Sequence, residues 1–211
     1  MMRYIVILIG CLTTLIYSFP KILEKGPSVT IENNQQLVTF PDDYRGQWLV
    51  CFSFPNVFSP VCTSEVVKFI QMSDQFDRAN TKILGIAPFS QQHYQLWLKH
   101  IQKENNIAIP ANLELLSDRT RLISEKYDFI HPAQTPHKNI RALYILDPEG
   151  RVRAALFYPM FNGRNVTEVY RLLMAIQASD ASNNGVTVEN WQPGDKVHQC
   201  VPCSQKKAQQ Q

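Results

Sequence analysis

The chain has 211 residues, 45% of them hydrophobic and 18% charged, which suits one packed domain of ordinary size and excludes wholesale disorder. A formal net charge of +3 and a single basic run, Lys206-Lys207 in a Gln-rich end, give no electropositive surface for nucleic acid. The five cysteines, Cys11, Cys51, Cys62, Cys200 and Cys203, are odd in number and irregularly spaced, which argues against a disulfide scaffold and for free thiols, buried or reactive.

Residues 1–18 are set apart as a hydrophobic leader. Behind Arg3, the run from Tyr4 to Phe19 is uncharged and mostly apolar. It is slightly short for a bilayer span and close to the core of a secretory signal. The expectation is therefore an exported or membrane-anchored protein, tethered through residues 4–19 if the leader is retained. The alternative is an apolar element packed on a cytoplasmic domain.

Pro20 to Gly46 is polar and turn-rich, with a short apolar stretch at Leu37–Phe40, and predicts entry strands and loops. Trp48 to Phe54 is a β-prone run of the kind buried on both sheet faces. A turn at Pro55–Pro60 follows, and Val66, Phe69, Ile70 and Phe76 recur at helical spacing. Lys82–Ala87 predicts a strand, Tyr94 to Ile101 a helix, Leu113–Leu116 a short strand, and Arg119–Tyr127 another helix. Arg141–Leu146 and Val152–Phe157 predict a hairpin about the turn Asp147-Pro148-Glu149-Gly150. Asn165 with Glu168 three residues on has the form of a capping box, ahead of an apolar stripe through Val166, Val169, Tyr170, Leu173 and Ile176. Ser179–Gly185 reads as a linker and the rest, with Trp191 and two cysteines, as an arm and tail. Strands alternating with helices, plus a late hairpin, give an α/β fold with a mixed sheet.

The segment Phe54-Pro55-Asn56-Val57-Phe58-Ser59-Pro60-Val61-Cys62-Thr63-Ser64-Glu65 carries the chemistry. Ser59 suits an N-cap and Pro60 the first helical position, so Cys62 falls in the first turn of a helix. Unpaired N–H groups and the positive end of the helix dipole favour an anion there. A thiol otherwise has little thiolate at neutral pH. The competing reading of Cys62 alone is a small buried apolar side chain.

Pro55, Ser59 and Cys62 in the pattern Pro-x-x-x-(Thr/Ser)-x-x-Cys resemble the peroxiredoxin signature. The resemblance spans about residues 20–198 and extends through Pro41–Tyr44, Gly46, Trp48 and Phe52. It continues through Ile130-His131-Pro132, Arg141 to Gly150, Tyr158-Pro159, Gly163-Arg164-Asn165, and Asn190-Trp191 with Gly194-Asp195. The last of these is similar to the C-terminal arm of one-cysteine peroxiredoxins. The resemblance implies a thioredoxin-like domain over residues 19–178 with an arm and tail over 179–211. It implies a thiol-dependent peroxidase that reduces hydrogen peroxide and organic hydroperoxides through a Cys62 sulfenic acid. Ser59 would hydrogen-bond the peroxide, Pro55 would shield the sulfur, and Arg141 would stabilise the thiolate and the charge developing across the O–O bond. Glu65 and Arg164 would form a supporting ion pair. The implied partners are a hydroperoxide, a thioredoxin-, glutaredoxin- or glutathione-like thiol reductant, and a second copy of the chain in a homodimer, with no cofactor. Three departures stand out. Phe54 replaces the histidine usual in this subfamily, Val57 an acidic residue, and Ser59 the commoner threonine.

Cys51, inside a strand, reads as core. Cys200-Val-Pro-Cys203 reads as a candidate resolving pair that would condense with the Cys62 sulfenate, as an exposed tail, or as half of a zinc site whose fourth ligand is not evident. The five histidines show no metal spacing, and His131 reads as loop structure. Two other functions compete with the peroxidase: a non-enzymatic interaction or holdase protein that kept the fold, and a disulfide oxidoreductase built on Cys200 and Cys203.

Overall fold

A computed structural model of the protein describes residues 20–131, 133, 138–183 and 185–199. The leader, Pro132, Cys200 and Cys203 lie outside those residues. In chain order the elements are β1 (Val29–Asn33), β2 (Gln36–Phe40), β3 (Trp48–Ser53), α1 (Pro60–Gln71), α2 (Ser73–Arg78), β4 (Thr81–Ala87) and α3 (Gln91–Asn105). There follow β5 (Leu113–Ser117), α4 (Leu122–Lys126), β6 (Arg141–Leu146), β7 (Val152–Tyr158), α5 (Val166–Ala181), β8 (Gly185–Val186) and β9 (His198–Gln199).

The main sheet has the order β5-β4-β3-β6-β7. β3, β4 and β5 run parallel, whereas β6 and β7 join antiparallel, so the sheet is mixed. β3 sits at its centre with all six residues buried, as its unbroken apolar run requires. The period-two alternation of a strand sorts its side chains. Trp48, Val50 and Phe52 enter the core shared with α1, α2, α3 and α5. Leu49 and Cys51 enter a second core covered by the β1–β2 hairpin and α4.

Local chemistry explains most element ends. The β6–β7 turn closes on Asp147, whose Oδ1 accepts the N–H groups of Glu149 (3.1 Å) and Arg151 (2.8 Å), while Gly150 takes φ +77°. Asn165 Oδ1 caps α5 by accepting the N–H groups of Thr167 (3.0 Å) and Glu168 (3.2 Å). Glu168 binds Arg171 at 2.6 and 2.8 Å, so the side chain expected to reach back to the cap answers a nearby cation instead. The helical spacing that continues from Val66 to Phe76 is divided at Met72 (φ −100°, ψ 4°) into α1 and α2.

The arm folds onto its own chain. Trp191 is buried, its carbonyl accepts Arg171 Nη1 at 2.9 Å, β9 pairs with β8, and Gln199 Nε2 reaches the Ser182 carbonyl at 3.3 Å. No helix among the described residues is long and apolar enough to cross a membrane.

Gly85 in β4 leaves the space that the aromatic core fills. A Cβ there would come within 2.5 Å of Leu115 Cδ2, 3.1 Å of Phe52 Cζ and 3.2 Å of Phe54 Cε1. Gly85→Ala is expected to destabilise the domain by about 1–3 kcal/mol through overpacking. Urea unfolding measures this, and an unchanged midpoint would show that the core yields freely at this point.

Candidate active site

The chain leaves the C-terminal end of β3 through Phe54 and Pro55, both buried, and turns back through Phe58, which takes the left-handed backbone (φ +58°). Ser59 (φ −74°, ψ 143°) then starts α1. Its Oγ accepts the Cys62 N–H at 3.2 Å, and its carbonyl accepts the Thr63 N–H at 2.9 Å. Pro60 at the first helical position has no N–H to leave unpaired. Cys62 therefore lies in the first turn of α1, at the positive end of the helix dipole. It is a free thiol, 1% exposed.

One turn further along α1 is Glu65, 3% exposed and placed by the i, i+3 spacing on the helix face that carries Cys62. Its carboxylate is shared by two buried arginines. Arg141 Nη1 donates to Oε2 at 2.7 Å. Arg164 donates three times: Nη2 to Oε2 at 2.8 Å, Nε to Oε1 at 3.0 Å, and its backbone N–H to Oε1 at 2.7 Å. Each arginine is also held by the backbone, Arg141 Nε by the Met160 carbonyl and Arg164 Nη1 by the Ala142 carbonyl, both at 2.7 Å. The Arg164 guanidinium lies over the Phe52 ring at 5.2 Å. Gly163 passes close to α1, where a Cβ would stand 3.2 Å from Val61 Cγ1.

The structure thus brings Cys62, Ser59, Pro55, Glu65, Arg141 and Arg164 to one end of the sheet. Two charges of one sign and one of the other, all out of water, leave a net positive charge one helical turn from the sulfur. Buried, convergent donors of this kind can stabilise negative charge that develops on an oxygen beside them. Sequence reasoning missed that Glu65 serves both arginines, and that Met160 holds Arg141. A backbone carbonyl carries no residue signature, so only the path of the loop after β7 reveals it.

The departures at Phe54 and Val57 are absorbed by packing. Phe54 is fully buried, with Trp97, Phe52, Tyr94 and Phe89 at ring distances of 5.3, 5.9, 6.0 and 6.4 Å. Val57 joins the same core. Trp97 Nε1 donates to Thr63 Oγ1 at 3.1 Å, tying α3 to the residue after Cys62.

Cys51 is a different kind of thiol. It lies in the second core, its Sγ donates to the Tyr144 carbonyl at 3.5 Å, and burial pushes its pKa up to about 12. His131 is an exposed loop residue whose Nδ1 accepts the Ala133 N–H at 3.3 Å. Among the described residues no group of three or more His, Cys, Asp or Glu side chains is placed to hold a metal ion.

A model of the AhpC/TSA family matches residues 22–155. A peroxiredoxin of Methanosarcina mazei is 36% identical over 182 residues, covering 84% of this chain and 83% of that protein. A peroxiredoxin of Aquifex aeolicus is 36% identical over 179 residues, covering 84% and 79%. Among solved structures, a yeast mitochondrial 1-Cys peroxiredoxin, whose thiol resolves via glutathione/thioredoxin systems, superposes with a TM-score of 0.74 at 29% identity. It covers 84% of this chain and 85% of its own. A variant of the peroxiredoxin 6 of Arenicola marina has a TM-score of 0.77 at 24% identity over 87% of this chain and 84% of its own, and shows the shared fold. The chain belongs to the AhpC/TSA family. Within it the chain is a peroxiredoxin, a thiol-dependent peroxidase with a thioredoxin-like fold, and the reading as a non-enzymatic holdase is not favoured.

Removing the shared carboxylate tests the charge network. Glu65→Gln leaves two buried guanidiniums without their counter-ion and is expected to cost about 3–5 kcal/mol. Chemical denaturation measures this, and a loss under about 1 kcal/mol would show that the arginines find other partners.

Proposed function

We propose that Cys62 is the nucleophile of the peroxidase reaction. The Cys62 thiolate attacks one peroxide oxygen, an S–O bond forms, and the O–O bond breaks. The bonding pair leaves on the second oxygen, which takes up a proton and departs as water or an alcohol. Cys62 is left as a sulfenic acid. The single observation that supports this most is a free thiol in the first turn of α1, one turn from a carboxylate that holds two buried arginines. Ser59 Oγ accepts the Cys62 N–H, so its own proton remains available to the peroxide. Arg141 stabilises the charge that develops as the O–O bond breaks. Pro55, buried between β3 and the site loop, helps keep bulk water from the sulfur.

The second half of the cycle returns the sulfenic acid to thiol. Cys200 or Cys203 condenses with Cys62, releasing water and forming a disulfide, and a thioredoxin-, glutaredoxin- or glutathione-like thiol then reduces it. The working unit is a homodimer. A disulfide oxidoreductase acting through Cys200 and Cys203 alone gains no support from the buried site around Cys62.

After one equivalent of hydrogen peroxide, dimedone is expected to label Cys62 and leave Cys51 unmodified in peptide mapping. Cys62→Ser should abolish peroxide consumption. Labelling confined to Cys200 and Cys203 would transfer the chemistry to the tail. Replacing both tail cysteines by serine should stop turnover with a dithiol reductant while leaving a single stoichiometric reduction of peroxide. Unchanged turnover would mean that the reductant attacks the Cys62 sulfenic acid directly.

A further inference from the structure

β3 and β6 pair from Leu49↔Leu146 to Phe52↔Leu143, and the backbone ladder stops there. Arg141, the first residue of β6, lies beyond that limit. The side chain of Ser53, the last residue of β3, bridges the gap. Its Oγ accepts the Ala142 N–H at 3.0 Å and donates to the Ile140 carbonyl at 2.6 Å, with a longer 3.4 Å approach to the Ala142 carbonyl. One hydroxyl therefore grips the residues on either side of Arg141. On its other flank Arg141 pairs with Tyr158 of β7. Ser53 is 0% exposed, so water does not share these bonds.

We propose that Ser53 is a positioning residue for Arg141. It does not touch the peroxide. It fixes the backbone from which the guanidinium projects, using a side chain where the sheet offers no backbone partner. The same bond locks Ala142, whose carbonyl accepts Arg164 Nη1 at 2.7 Å, so one serine sets the register of both arginines against Glu65. The inference rests on the reading that Arg141 assists O–O cleavage, and Ser53 acts on the rate only through it.

The test is a double-mutant cycle on the full chain, read as the rate of Cys62 oxidation by hydrogen peroxide in a single turnover. Arg141→Lys is expected to slow oxidation by about a hundredfold. Ser53→Ala should slow it by about tenfold, because a small displacement of a charge-stabilising group is enough for that. Ser53→Thr keeps the hydroxyl and should stay within about twofold of the parent. In the Arg141→Lys background Ser53→Ala should have little further effect, which a serine needed only for folding would not produce. Equal slowing in both backgrounds, or full speed in a folded Ser53→Ala protein while Arg141→Lys is slow, overturns the positioning role alone. A fast Arg141→Lys protein removes the reading of Arg141 and this inference with it. If Ser53→Ala does not fold, Ser53→Cys, close in size and a weak hydrogen-bonding group, decides by the same cycle.

Discussion

The buried Glu65 carboxylate is the interaction on which the rest of the site depends. An unpaired arginine in this interior would be untenable, because removing a guanidinium from water costs several kcal/mol. Glu65 satisfies two, and each has a backbone carbonyl besides. The three groups come from α1, β6 and the residue before the α5 cap, so one carboxylate ties together three segments that are distant in sequence. The pairing is deliberately incomplete in charge. One positive charge is left over, beside a helix N-terminus, and it is not screened by water. A site built for stability alone would balance its charges or do without them.

The sheet supplies the place for this cluster. β3 has parallel partners on one side and antiparallel partners on the other, so its C-terminal end adjoins the start of β6. The loop from Pro55 to Ser59 and the first residue of β6 therefore meet at the same edge. The aromatic group of Phe52, Phe54, Phe89, Tyr94 and Trp97 backs this region with apolar bulk. Phe54 brings no hydrogen bond, and none of its aromatic neighbours asks for one from it. What the phenyl ring contributes is volume packed behind the β3 exit, while the polar contacts of this region belong to Ser59, Glu65 and Arg141.

The features readable in advance are those written in local chemistry. The apolar run of β3, the Ser59-Pro60 helix start, the Asp147–Gly150 turn and the Asn165 cap each depend on neighbours within a few residues, and residue type alone predicts them. The division at Met72, the turn of Glu168 toward Arg171, and the return of the arm onto α5 depend on what packs nearby, which periodicity does not carry. The candidate site shows the same division. A motif singles out Pro55, Ser59 and Cys62, and family resemblance adds Glu65, Arg141 and Arg164. The sharing of Glu65, the hold of Met160 on Arg141 and the grip of Ser53 on β6 join residues far apart in sequence. All three run at least partly through backbone atoms that have no spelling in the chain.

Cys51 and Cys62 show why burial by itself says little about a thiol. Both are almost wholly enclosed, at 0% and 1% exposure. Cys51 faces an apolar core and donates its S–H to the Tyr144 carbonyl. Desolvation outweighs the backbone hydrogen bonds that favour the thiolate, and the neutral form prevails. Cys62 stands instead in the first turn of α1, with Glu65 and the two guanidiniums it binds one turn further along the helix. Equal enclosure therefore leaves the two sulfurs in different surroundings, one among apolar side chains and a carbonyl, the other one turn from a buried charge cluster.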